Sequence, residues 1–165
     1  MEEVNLVDLM NRRAQTYGML ARLFREEVDL ETLRELQGMR FPAATGSPKV
    51  DEGYHQLFDY LKGAWEDSVT ELAVDYVRTF IGHGVNGYSA AYPYESVYTS
   101  ERRLLMQEAR AEVLATLREN ELKRGTWNEA EDHIALELEF MAALGDRIVA
   151  AAEAGDEAEV ERLLA

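Results

Sequence analysis

A chain of 165 residues, 47% of them hydrophobic, is large enough to bury roughly two-thirds of the surface its unfolded form exposes. Cysteine is absent, which excludes disulfides and thiolate-bound zinc or iron–sulfur centres. The 32 acids and 17 bases leave a formal net charge of −15, a field that repels nucleic-acid phosphates and favours a basic partner.

The N-terminal stretch from Met1 to Arg13 leads with acids and lacks an apolar centre, so it does not read as a signal peptide. No apolar run approaches the ~20 residues of a membrane span, and a cytoplasmic protein that is not integral to a membrane is expected. Helical periodicity then takes over. Leu6, Leu9, Met10, Tyr17, Leu20 and Phe24 approximate one apolar stripe. Asp29 has the oxygen to cap a short helix reaching about Met39. Pro42, Gly46 and Pro48 punctuate a linker. A third helix is predicted from about Val50 to Trp65, burying Tyr54, Leu57, Phe58 and Leu61. A fourth starts near Ser68, carries Leu72, Tyr76 and Phe80, and stops at Gly82-His83-Gly84. The stretch from Gly82 to Pro93 is the longest irregular one.

Two longer helices follow, one from about Ser96 to Asn120 and one from Asn128 to about Ala154. The run Asn128-Glu129-Ala130-Glu131 has the pattern of a capping box. Asp156-Glu157-Ala158-Glu159 repeats that pattern before a last short helix. Strand alternation and internal repeats are missing. The expected fold is one all-α domain of about seven helices spanning residues 1–165.

Two segments could carry chemistry. Tyr92, Tyr94 and Tyr98 surround Pro93 at a helix entry, where they either pack into the core or form a rigid amphipathic contact surface. In the run from Glu129 to Met141, Asp132 and His133 are expected in a first helical turn, with Glu137 four residues beyond His133 and able to touch it. A carboxylate beside a histidine permits acid–base work or an ordinary helix-end ion pair. Enzyme motifs fail. His-Glu-x-x-His, Gly-x-Ser-x-Gly and a phosphate loop are absent, and a di-iron bundle would need glutamate where Ala130 stands. With three scattered histidines, His55, His83 and His133, neither a metal nor a cofactor is expected.

The segments occur in a fixed order: Tyr76-Val77-Arg78-Thr79-Phe80-Ile81-Gly82, then Pro93-Tyr94-Glu95-Ser96-Val97-Tyr98, then Glu101-Arg102-Arg103-Leu104-Leu105-Met106. Glu131-Asp132-His133-Ile134 through Glu137-Leu138-Glu139-Phe140-Met141 closes the series. This order resembles the TorD/DmsD/NarJ family of redox-enzyme maturation chaperones from about Asp75 to Leu144. Ala130 departs from the family's usual proline. Family members also tend to continue with more helix beyond the point where this chain stops, at Ala165, so a short member or a truncated chain is expected.

The resemblance implies a cytoplasmic, all-helical chaperone, not an enzyme. Its implied partners are the twin-arginine leader peptide and the apo form of a molybdopterin oxidoreductase, whose folding, cofactor insertion and export proofreading it assists. It implies that Tyr76, Phe80, Pro93, Tyr94, Glu95 and Ser96 form one wall of the peptide site, and that Asp132, His133 and Glu139 belong to the other. Asp132, His133, Tyr94 and Glu95 should then converge and stay partly exposed. A monomer and a homodimer are both compatible. The alternatives are NarJ-like assembly of a membrane-anchored reductase, weak guanine-nucleotide binding, or an unrelated helical enzyme using His133 as a base.

Overall fold

A computed structural model describes residues 5–42, 44–82, 90–123 and 125–165. The described residues form eight α-helices and one π-helical turn, with no strand, so the fold is all-α. They cluster into two compact units, residues 26–91 and a second made of residues 1–25 with 92–165.

In the larger unit, α1 (Leu6–Arg25) packs along α7 (Ile134–Ala154), and α8 (Glu157–Leu164) folds back on α7. The α1–α7 contact is built from small residues. A Cβ at Gly145 would lie 3.1 Å from the Ala14 Cβ and 3.3 Å from the Met10 carbonyl oxygen, so only glycine allows this approach without displacement. The buried residues of α1 are accordingly Met10, Ala14 and Ala21, while Leu9 of the expected stripe is exposed. Met10 of the expected stripe is thus buried and Leu6, Tyr17, Leu20 and Phe24 are half-buried, while the closest approach falls on Ala14 and Gly145. Gly155 ends α7 in the left-handed region (φ 73°), and the Asp156 carboxylate caps α8 by accepting from the Glu159 N–H at 3.1 Å.

The predicted helix from Ser96 to Asn120 is two helices, α5 (Glu95–Thr99) and α6 (Glu108–Glu119). The Ser96 hydroxyl explains the interruption. It accepts from the Gln107 N–H at 3.1 Å and draws the chain back over an intervening loop. The start of α7 also differs. The helix begins at Ile134, because the backbone before it is engaged elsewhere. The Glu95 N–H donates to the Asp132 carbonyl at 2.9 Å and the Ile134 N–H to the Pro93 carbonyl at 2.9 Å, around an isolated antiparallel bridge between Tyr94 and His133. Tertiary pairing thus overrides the capping pattern at Asn128.

The smaller unit holds α2 (Leu30–Gly38), α3 (Pro48–Gly63) and α4 (Ser68–Tyr76). Asp29 caps α2 as expected, accepting from the Thr32 N–H at 2.8 Å. The predicted burial of α3 is corrected: Leu61 is buried, Tyr54 and Leu57 are half-buried, and Phe58 is 48% exposed with the Lys62 ammonium 5.3 Å from its ring centre. Within the unit, α3 is anchored near its C-terminal end. The Gln37 amide of α2 donates there to the Leu61 and Ala64 carbonyls, so residues a turn earlier are left uncovered.

The expected fourth helix changes pitch at Val77. Residues Val77–Ile81 form a π turn closed by Gly82 N–H donating to the Val77 carbonyl at 2.7 Å. Gly82 is the stop that was predicted; His83 and Gly84 lie outside the described residues.

Candidate functional site

The two singled-out motifs meet. The bridge between Tyr94 and His133 sets the beginning of α5 against the beginning of α7. Asp132 serves as a remote cap for α5: one carboxylate oxygen, Oδ2, accepts from the Ser96 N–H at 2.9 Å and also from the Ser96 hydroxyl. Both residues have zero exposure. The other oxygen, Oδ1, is buried without a protein hydrogen-bond partner.

His133 is also buried. It caps α7 with its own ring, Nδ1 accepting from the Ala135 N–H at 3.1 Å, which leaves the proton of the neutral imidazole on Nε2. Tyr94 and Trp127 meet the ring edge-on, with centroids 4.9 and 4.7 Å away. Burial pushes the imidazole below its ordinary value, and the carboxylates of Glu129 and Asp132 only partly oppose this. Glu129 also accepts from the Tyr94 hydroxyl, while Glu131, itself buried, accepts from the Arg110 guanidinium at 2.5 Å.

This geometry corrects two expectations. Asp132 and His133 do converge with Tyr94 and Glu95, but they are buried, because each caps a helix start whose N–H groups need an acceptor. The expected side-chain contact between His133 and Glu137 is replaced by the capping bond. His133 is the N-cap, so it meets Glu137 through its backbone, its carbonyl accepting from the Glu137 N–H at 3.3 Å, while its ring turns to the Ala135 N–H.

Pro93, Tyr94 and Glu95 are half-exposed at the rim of this junction. Beside them, α5, α6 and α7 line an open cavity of about 310 Å³. Glu95, Glu112 and Glu137 line it together with the apolar Leu117, Phe140 and Met141. Burial raises the Glu137 carboxyl to about 7, helped by the neighbouring carboxylates of Glu95 and Asp132. No lysine or arginine is ion-paired with these three glutamates among the described residues.

Glu112 and the convergence of the three glutamates were not anticipated. They come from three separate helices, and no spacing in the chain announces the meeting. Glu139 lies on another side of α7, lining a smaller cavity of about 180 Å³ and bonded to the Arg25 guanidinium at 2.6 Å. Tyr76 and Phe80 belong to the other unit, where their rings pack edge-on with centroids 5.2 Å apart. Among the described residues there is no group of His, Asp and Glu able to hold a metal ion, and no helix long and apolar enough to cross a membrane.

Comparison with known proteins adds to this geometry. The chain is 28% identical to the chaperone protein TorD of Aliivibrio salmonicida, over 100% of its own length and 76% of the relative's. It is 30% identical to TorD of Photobacterium profundum, over 93% of this chain and 71% of that one. A protein of Archaeoglobus fulgidus described as a redox enzyme maturation protein shares the fold, with a TM-score of 0.55 at 20% identity over 81% of this chain and 72% of that one. Residues 45–165, which include both motifs and the whole cavity, match the family described as nitrate reductase delta subunit. The chain therefore belongs to the nitrate reductase delta subunit family and is a TorD-like chaperone, not an enzyme.

Proposed function

We propose that this chaperone acts in the cytoplasm as one functional domain, binding the twin-arginine leader of a molybdopterin oxidoreductase and holding that client until its cofactor is in place. One observation supports the reading: three glutamates with no basic ion-pair partner among the described residues line an apolar-floored cavity beside the half-exposed Pro93, Tyr94 and Glu95. A peptide that is basic at one point and apolar just after it satisfies both kinds of wall. Glu95 and Tyr94 contact the leader directly. Ser96, Asp132 and His133 hold that rim in place from beneath, and Glu139 is taken up by Arg25. Within their own unit, Tyr76 and Phe80 are assigned to apolar contact with the leader or with the client.

Calorimetric titration of a synthetic leader carrying two consecutive arginines tests this. Micromolar or tighter affinity, about −8 kcal/mol, is expected and should weaken as salt rises. Glu112→Gln should cost roughly 1–3 kcal/mol of it, the scale of a charge-assisted contact. Absence of heat at both low and moderate salt would overturn the reading. Assembly of a membrane-anchored, non-exported reductase is the second reading, favoured by the family's description as nitrate reductase delta subunit. A client lacking the paired arginines yet bound with equal affinity would select it.

A further inference from the structure

The loop between α5 and α6 inverts the character of the molecule around it. In a chain of net charge −15, Arg102 and Arg103 stand side by side and exposed. Leu104, Leu105 and Met106 follow at 56, 44 and 65% exposure, and Tyr98 on α5 adds a ring that is 64% exposed. Exposed apolar side chains in succession mark an interaction surface more often than single ones do.

The loop is held in shape. The Arg103 N–H donates to the Ser100 carbonyl at 3.2 Å, the Gln107 amide to the Leu105 carbonyl at 2.8 Å, and the Gln107 N–H to the buried Ser96 hydroxyl at 3.1 Å. Arg103 and Met106 have φ of 50° and 58°, a left-handed conformation that disfavours side chains of their size. Strain of this kind persists where the surroundings over-determine it, and it collects at functional segments.

The complement of this loop lies on the same unit. The cavity walled by Glu95, Glu112 and Glu137 and floored by Leu117, Phe140 and Met141 is acidic where the loop is basic and apolar where the loop is apolar. Neither Arg102 nor Arg103 is ion-paired to those glutamates within the chain. We propose that the loop of one copy seats its paired arginines in the glutamate cavity of a second copy, so that the chain forms a dimer through two reciprocal loop-in-cavity contacts. Where the same two copies exchange loops reciprocally, the contact closes as a two-fold dimer, whereas a one-way exchange would build an open chain that sedimentation distinguishes by its continued growth.

The leader proposed above offers the same chemistry, so leader and loop compete for one cavity. That competition rests on the proposed function; self-association rests on the loop and cavity alone.

Sedimentation velocity on the full chain decides it. The wild type should dimerise with rising concentration and dissociate with added salt. The R102E/R103E variant should be at least about tenfold weaker in association with unchanged helical content. The charge-exchanged R102E/R103E/E112R variant should associate again. A wild type that stays monomeric at high concentration and low salt overturns the proposal, and so does an R102E/R103E variant that dimerises as well as wild type. Adding leader peptide should release monomers. A dimer that takes up leader and stays intact refutes the shared cavity while leaving the dimer standing, and a dimer unaffected by a leader that gives no heat refutes the leader reading alone.

Discussion

The junction beneath α5 and α7 and the cavity beside it use the same chemical group in opposite ways. At the junction, Asp132 is fully buried and takes two hydrogen bonds from Ser96 through one oxygen. In the cavity, half-exposed Glu137 has no basic ion-pair partner among the described residues, and its carboxyl is raised to about 7 by burial and by the Glu95 and Asp132 carboxylates. The two residues are five positions apart in the chain. Partners make the difference: donors at a helix start hold a carboxylate for structure, while their absence beside apolar walls leaves one available to an incoming cation. Acidic character alone therefore does not identify the binding residues of this chain.

Asp132→Ala is the strongest test of that division. It strips the acceptor from the Ser96 N–H and hydroxyl in a fully buried setting. Leaving two buried donors unpaired should cost about 3 kcal/mol, and a chain of this size should then melt roughly 6–12 °C lower. Leader affinity of the folded fraction should stay within about twofold of wild type, since Asp132 touches no exposed surface. A variant that melts normally but loses the leader would move Asp132 from scaffold to binding wall. Thermal melts and peptide titrations on the same preparation separate the two.

Glu137→Gln tests the other side of the comparison through pH. A folded-state carboxyl raised above its ordinary value of 4.5 contributes stability that is complete below 4.5 and lost as pH rises through about 7. The glutamine variant should thus match wild type near acid pH and exceed it above neutrality. Because the group is half-exposed, the gain at about pH 8 is discounted to about 1 kcal/mol. His133 works in the other direction: its depressed value gives stability that is complete above 6.5 and falls as the solution is acidified through the lower folded value. Denaturant titrations of variant and wild type at matched pH cancel the histidine's part. A gain that does not depend on pH would show that Glu137 is not held protonated by its surroundings.

Much of this was legible in the chain, for reasons that can be named. Asp29, Gly82 and Asp156 were read correctly as boundaries, because caps and stops act on neighbouring backbone. The motifs around Pro93 and Asp132 were readable as a pair through the family resemblance, and their convergence follows from the Tyr94–His133 bridge. What escaped were local outcomes set by particular distant partners. The Ser96–Gln107 bond broke a predicted helix, and Asp132 turned from a rim to a buried cap. Glu112 joined Glu95 and Glu137 only because three helices bring them together.

The smallest expected effect belongs to Glu139, an acid two positions beyond Glu137 and of the same type. Its carboxylate is bonded to Arg25 at 2.6 Å, with the two side chains 34% and 40% exposed. The Arg25 guanidinium also lies 5.0 Å from the centre of the Trp127 ring, which in turn meets His133 edge-on. Partly exposed ion pairs contribute roughly 0.2–1 kcal/mol, and Arg25 keeps its place over the tryptophan when the carboxylate is removed. Glu139→Ala should therefore lower stability by less than about 1 kcal/mol and leave leader affinity within about twofold. The contrast with Glu112→Gln, which removes an acid from the cavity itself, is what gives the result its meaning. If Glu139→Ala weakens the leader as much as Glu112→Gln does, the division between paired and available acids fails. The leader would then have to reach the Arg25 side of α7 as well.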